Sequence, residues 1–293
     1  MSHLHVAEAV PLGYALVARV ASDAGVRALC IKGPRSVENG WREPHQSQDV
    51  DLLVSPNQFE EMSNHLVRLG WTDATVHEAN YIALPHSRQF RHPSWPFELD
   101  LHRYFPGFFA DKQFVFDSLW TNRVPVNSAG MIVWGPAPEA AQLVEWLHAL
   151  REPKLKRRQL RFLRSTWPLI DRSSIAELAQ RLGAAEALEP DWRINSTVPI
   201  DRSELVAWRL RAEVSHTPAI NFVYRWREAN WRGRMRLLSK TSRSTTAEIE
   251  SARRDNKGRL AVARARLTRA WSRLRALRAA SDRLKLAEER ARR

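Results

Sequence analysis

Asp49 and Asp51 flank Val50 in the run Gln48-Asp49-Val50-Asp51-Leu52-Leu53-Val54. Alternate residues of a strand share a face. The two carboxylates therefore point the same way, and Val50, Leu52 and Val54 point the other. Carboxylates this close repel each other unless a cation sits between them. An oxygen-only ligand set suits Mg²⁺, which takes one or two carboxylates together with substrate phosphates. A second run, Phe97-Glu98-Leu99-Asp100-Leu101-His102, puts Glu98, Asp100 and His102 on one face. A strand carrying it beside the first brings Asp100 to Asp49 and Asp51. Three converging carboxylates form a two-metal site for phosphoryl chemistry. The third element is Leu29-Cys30-Ile31-Lys32-Gly33-Pro34. Glycine after a strand lets backbone approach a phosphate, and Lys32 adds a point positive charge.

Each of these residues also has a plainer reading. An isolated Asp-x-Asp is often a strand end with solvated carboxylates. Lys32 could be a solvated lysine at a strand end, and Glu98 shares the face of Asp100 and could replace it. His102 reads more readily as a satisfied histidine at a sheet edge than as a catalytic base. Cys30, the single cysteine, sits in an apolar run and reads as buried and inert. The twelve tryptophans read mostly as core or groove-lining residues. The combination of the glycine turn, Asp49, Asp51 and the apolar-flanked Asp100 is what favours a metal site.

The elements that would position these groups follow from periodicity. Residues 4–25 read as a helix, and Ala28–Ile31 and Val50–Val54 as buried strands. Ser55-Pro56-Asn57-Gln58 reads as a helix start with a capping box, and Phe59, Met62, Leu66 and Leu69 form the apolar face of that helix, which Gly70 stops. Tyr81–Leu84, Ser87–Arg91 and Phe97–Tyr104 read as strands. Helices follow over Glu139–Leu150, Arg157–Ile170, a capping box at Ser174-Ile175-Ala176-Glu177 to near Gly183, Asp201–Ser215 and Ala219–Ser239, with a loop over 188–200. From Thr246 onward, Leu260, Ala263, Leu267, Ala270, Leu274, Leu277, Ser281 and Leu284 recur at spacings of four and three. The predicted class is α+β: a small mixed sheet with flanking helices, then a helical region, then a long basic C-terminal helix. The predicted divisions are 1–138 for an α/β catalytic domain, 139–245 for a helical domain and 246–293 for a basic helical tail.

Composition narrows the classes further. With 44 % hydrophobic residues the chain can bury a core. One cysteine excludes an intrachain disulfide framework and a structural zinc site built on several thiolates. The N-terminal MSHLHVAEAV does not read as a signal peptide, and no run is apolar enough to span a membrane, so the expected location is cytoplasmic. Residues 251–293 hold 15 Lys and Arg against 4 Asp and Glu, so this tail supplies +11 of the net +14. The basicity thus belongs to the tail, where arginines such as Arg264, Arg266, Arg269 and Arg273 form either a solvated helix face or an arm for nucleic acid or an anionic surface.

Strand, glycine turn, Asp-x-Asp on a strand and a third Asp on a later strand together resemble the DNA polymerase β-like nucleotidyltransferase superfamily. Within it the chain looks most like the uncharacterised nucleotidyltransferases. The matching residues are Ile31-Lys32-Gly33, Trp41, Pro44, Asp49-Val50-Asp51-Leu52-Leu53-Val54 and Glu98-Leu99-Asp100-Leu101-His102, and the resemblance covers about residues 5–180. It implies that Asp49 and Asp51 bind two Mg²⁺ ions, with Mn²⁺ able to substitute. It implies that Asp100 binds the second ion and helps activate the acceptor hydroxyl, with Lys32 and Gly33 near the triphosphate. The implied reaction moves a nucleotidyl group from an NTP, such as ATP, to a small-molecule, peptide or protein acceptor and releases pyrophosphate. Two residue choices depart from the pattern. Pro34 follows Gly33 and has no N–H to offer a phosphate, and His45-Gln46-Ser47-Gln48 stands where relatives often carry an arginine and a small residue. These departures motivate a second expectation, a catalytically weakened nucleotide-binding relative. The tail motivates a third, nucleic-acid binding through the basic C-terminal helix.

Overall fold

The computed structural model describes residues 4–75, 86–151, 156–166, 171–189, 191–213, 218–235, 237, 272, 274–286 and 288–289. Helix α1 (Val6–Asp23) opens with His5 and Glu8 forming a capping box. It is followed by β1 (Ala28–Ile31), a short α2 (Pro34–Glu38), β2 (Asp49–Val54), a 3₁₀ turn over Pro56–Gln58 and α3 (Phe59–Arg68). Strands β3 (Thr72–Asp73), β4 (Ser87–Arg91) and β5 (Glu98–His102) complete a five-stranded sheet of order β1-β2-β5-β4-β3. Strands β2 and β5 run parallel, and the other pairs are antiparallel. A parallel pair needs a long crossover, and α3 lies in the one that joins these two strands. Helix α4 (Lys112–Thr121) and a hairpin of β6 (Val124–Ser128) and β7 (Met131–Gly135) then lead into the helices α5 (Pro138–Leu150), α6 (Arg157–Ser165), α7 (Arg172–Arg181), α8 (Arg202–Glu213) and α9 (Pro218–Glu228).

The sheet separates two cores. Val50, Leu52 and Val54 of β2 and Leu99 and Leu101 of β5 pack with α1 and with Phe59, Met62 and Leu66 of α3. Each such side chain, taken fully out of water, contributes roughly 1.5–3 kcal/mol. The approach of α1 is close: a Cβ on Gly13 would lie 2.5 Å from Phe97 and 2.8 Å from Val50. On the other face, Leu29, Ile31 and Leu53 join Phe105, Phe108, Phe116 and the apolar sides of α5, α6 and α7. Strand alternation therefore sends Leu53 into the helical core, and Asp51 and Asp49, two and four residues earlier, share that face.

Several local expectations give way to other solutions. Ser55 caps only the 3₁₀ turn, through its backbone oxygen. Gln58 completes no capping box: its side chain accepts from the Arg27 N–H at 3.0 Å and donates to the Gly25 carbonyl at 3.1 Å, tying the start of α3 to the turn before β1. Helix α7 starts earlier than the Ser174 box suggests, because Asp171 is the cap and accepts from the Ser174 N–H at 3.1 Å. Aspartate is as good a cap as serine, and here it holds Ser173 and Ser174 as well. Hairpin β6–β7 and helix α4 carry too weak a pattern to have been read from periodicity. The expected strand at Tyr81–Leu84 lies outside the described residues, as do Leu260, Ala263, Leu267 and Ala270 of the tail seam.

Contacts divide the chain into two compact units. The first contains the described residues up to Trp208, and the second those from Arg209 onward. In the second, the Arg227 guanidinium links α9 to the C-terminal helical stretch 274–286, donating to Ser281 Oγ at 2.9 Å and pairing with Glu288 at 3.3 Å. Among the described residues no helix is long and apolar enough to cross a membrane.

Candidate active site

The site begins where β1 ends. Ile31 is paired with Asp51 across the antiparallel β1–β2 edge. The next two residues turn sharply: Lys32 has φ 57° and Gly33 has φ 70° and ψ −158°. The Gly33 conformation belongs almost only to glycine, and a left-handed lysine stores roughly 1–3 kcal/mol of strain. Tyr14, buried on α1, holds the corner in place. Its hydroxyl donates to the Ile31 carbonyl at 3.1 Å and accepts from the Asp51 N–H at 3.2 Å. That hydroxyl also leaves no room at residue 33, where a Cβ would lie 2.5 Å from it. Gly33 is thus required twice, by its backbone angles and by the space Tyr14 occupies. Pro34 follows as the first residue of α2, where a missing N–H costs the helix nothing.

The strained corner turns the Lys32 side chain back over β2. Its ammonium Nζ lies 2.6 Å from Asp51 Oδ1, and both side chains are almost fully buried, at 7 % and 2 % exposure. His102 Nε2 meets the same oxygen at 2.9 Å, which assigns Nε2–H as donor, and its buried Nδ1 has no hydrogen-bond partner. Burial alone would raise the Asp51 pKa, but the Lys32 ammonium and the His102 hydrogen bond hold it well below the usual carboxylate range. Burial alone would lower Lys32, yet the charges of Asp51, Asp49 and Asp100 outweigh it and raise the ammonium above its ordinary value. Burial pushes the Asp100 carboxyl up, with Asp51 and Asp49 adding to it. Burial also lifts the Cys30 thiol to about 12, in keeping with an inert cysteine.

Asp51 and Asp100 are direct partners in the parallel β2–β5 register, and Asp49 is the partner of Glu98. Asp51, Asp100 and His102 each offer a ligand atom, and the three atoms lie within 4.8 Å of one another. Asp49 stands one strand step away. Ser47 Oγ donates to it at 3.3 Å, and its charge reaches Lys32, Tyr14 and Asp100. Glu98, the alternative to Asp100, is engaged elsewhere by Gln89 and by Arg91. Of the residues singled out in the sequence, Lys32, Gly33, Asp51 and Asp100 therefore share one corner, with Asp49 at its edge. The donor set of two carboxylates and an imidazole is chemically suited to a divalent cation. Lys32 already supplies one positive charge there, so an arriving cation would compete with it for Asp51.

The helical region adds groups that sequence reasoning did not single out. Helix α5 packs against α2 and places Glu145 and His148 one turn apart on the side of the Lys32 corner. Glu145 is completely buried. Neither carboxylate oxygen has a partner in full hydrogen-bond geometry; the Ser36 hydroxyl is the donor nearest to bearing on it, and Arg42 Nε comes to 3.9 Å. Burial pushes its carboxyl up, while the charges of Arg42 and Lys32 and the Ser36 hydroxyl act the other way. Burial likewise drives His148 well below the ordinary histidine range, helped by the Lys32 charge. Tyr14, too, had no sequence signal beyond its place on an amphipathic helix. A glutamate inside the otherwise apolar stretch of α5 was the one legible clue on that side.

The site thus combines a parallel strand pair bearing in-register carboxylates with a neighbouring Lys-Gly corner. The chain belongs to the family of uncharacterised nucleotidyltransferases, whose family model matches residues 14–190, more than half of its length. It is a transferase of that kind by family. Among solved structures it is similar to an antigenic nucleotidyltransferase-like protein from Paracoccidioides brasiliensis, at 14 % identity and TM-score 0.36 over 64 % of this chain and 95 % of the other. It is also similar to the lincomycin-bound lincosamide antibiotic adenylyltransferase LnuA, at 14 % identity and TM-score 0.31 over 45 % and 82 %. A third similarity is to a tRNA nucleotidyltransferase in complex with a primer tRNA and an ATP analogue, at 14 % identity and TM-score 0.25 over 94 % and 98 %. No curated protein matches the chain.

Proposed function

We propose that this chain is a Mg²⁺-dependent enzyme that transfers a nucleotidyl group from an NTP to the hydroxyl of an acceptor. The acceptor oxygen bonds to the α-phosphorus, the bond from that phosphorus to the bridging oxygen breaks, and pyrophosphate leaves with the electron pair. The acceptor proton passes to a base in the carboxylate cluster. Asp51 and Asp100, with Asp49 at the edge of the corner, are the residues to hold Mg²⁺, and His102 widens the choice to Mn²⁺. The cation would neutralise phosphate charge and orient the triphosphate. Lys32 would meet a phosphate oxygen once it leaves Asp51, and Gly33 keeps the backbone low enough for the phosphates to approach. The protein's contribution is positioning and charge neutralisation.

One observation carries this reading: Asp51 and Asp100 are in register on adjacent parallel strands, with Lys32 on Asp51 at 2.6 Å. The test gives purified protein each of the four NTPs, labelled at the α-phosphorus, with Mg²⁺ or Mn²⁺ and with small-molecule and protein fractions as acceptors. Pyrophosphate release and label transfer are expected, and Asp100→Asn is expected to lower them about a hundredfold or more. Equal turnover by parent and variant contradicts the assignment.

A second reading is supported by Pro34 and by Lys32 already occupying Asp51: a relative that binds nucleotide without turning it over. Calorimetry with Mg·ATP separates the two, since tight binding with no pyrophosphate under every acceptor condition favours the second.

A further inference from the structure

Among the described residues, Glu145 is a fully buried carboxylate short of partners. A fully buried carboxylate normally collects hydrogen bonds, because leaving it without them costs several kcal/mol. Here neither oxygen has a partner in full hydrogen-bond geometry: the Ser36 hydroxyl is the one neighbour that bears on it as a donor, and Arg42 Nε stands at 3.9 Å. The residue sits on α5, whose packing partner α2 begins directly after the Lys32-Gly33 corner. Lys32 is buried, strained at φ 57°, and bound to an oxygen of Asp51 that His102 also claims. Two cations cannot share that carboxylate in a dry site without strong repulsion. When a divalent ion takes Asp51, that repulsion favours moving the ammonium toward another anion.

We infer that Glu145 is a positioning residue that receives the Lys32 ammonium when a divalent cation occupies Asp51 and Asp100. The inference rests on the cation-binding reading of the site. In the resting state Lys32 serves as the stand-in cation of Asp51. With the divalent ion bound and before nucleotide arrives, Glu145 offsets the loss of that ion pair, so no bare ammonium is left in the interior; once nucleotide binds, a phosphate oxygen takes that place. The weakly partnered carboxylate is thereby explained as a partner held ready for one of two states.

The experiment measures Mn²⁺ binding to the full chain, without nucleotide, by the loss of the free-ion electron paramagnetic resonance signal. The proteins are the parent, Glu145→Gln, Lys32→Met and the double variant, with thermal melting to check that each is folded. Glu145→Gln is expected to weaken Mn²⁺ about tenfold or more, as removal of a supporting partner usually does, and Glu145→Asp to recover part of the loss. In the Lys32→Met background the same change should have no effect, because no ammonium remains to be received. Equal losses with and without Lys32 would show a merely structural glutamate and overturn the inference. So would an undiminished affinity in Glu145→Gln. A parent protein that binds no Mn²⁺ at all would overturn the cation reading itself, which distinguishes the two failures.

Discussion

Asp51 and Leu52 are neighbours on β2 and are almost equally buried, at 1 % and 0 % exposure. Their surroundings differ completely. Leu52 enters a dry layer of aliphatic and aromatic side chains from α1, α3 and β5. Asp51 faces Lys32, His102 and Asp100 on the opposite side of the same strand. Burial on one face stabilises by removing apolar area from water. On the other it is sustained only by paired charges, each of which depends on its partner. The dry face gives the strand its place, and that fixed place sets the geometry of the polar face.

Removing one charge from the polar face should have the largest effect. Asp51→Asn should destabilise the fold by about 3–5 kcal/mol, because it leaves Lys32 buried and uncompensated. Adding Lys32→Met should recover most of that, as followed by urea unfolding. The corresponding change on the dry face, Leu52→Ala, should cost about 3 kcal/mol through lost transfer energy and a cavity. No second substitution on the polar face should rescue it, since the two faces do not share partners. Tyr14→Phe joins the two faces and should cost about 1–2 kcal/mol, by leaving the Ile31 carbonyl and the Asp51 N–H without their partner.

The smallest effect is a difference in pH dependence. The folded state holds the Asp51 carboxyl below its unfolded value, so its contribution is present above the unfolded carboxylate range and is lost as pH falls into acid. Asp100 is shifted the other way, so its charge is a burden that appears as pH rises through the carboxylate range. Asp100→Asn should therefore raise the melting temperature at neutral pH, with the gain vanishing in acid. A variant less stable than the parent at pH 7 would show that Asp100 is held by partners rather than strained by burial.

How much of this was legible in the chain follows the same division. Alternation alone put Asp49 and Asp51 on one face and Val50, Leu52 and Val54 on the other, because a strand's period is local. The α+β class and the Lys32-Gly33 corner were legible for the same reason. The parallel register of Asp51 with Asp100 was not, since nearly fifty residues separate them and a pairing partner leaves no local mark. Tyr14 was invisible because its two hydrogen bonds are to backbone of other elements. Glu145 was legible only as a glutamate inside an apolar stretch of α5, and what it faces depends on how that helix packs. His102 was read as a satisfied histidine at a sheet edge; its contact with Asp51 depends on β5 lying parallel to β2.

Asp51 and Asp100 are proposed to hold a divalent cation between them. Crystals of the parent protein soaked in Mn²⁺ and measured at a wavelength where manganese scatters anomalously test it most directly. The expected result is an anomalous peak within coordination distance of both carboxylates, with the Lys32 ammonium displaced from Asp51. A map with no peak between them, and Lys32 still seated on Asp51 at saturating Mn²⁺, would contradict it.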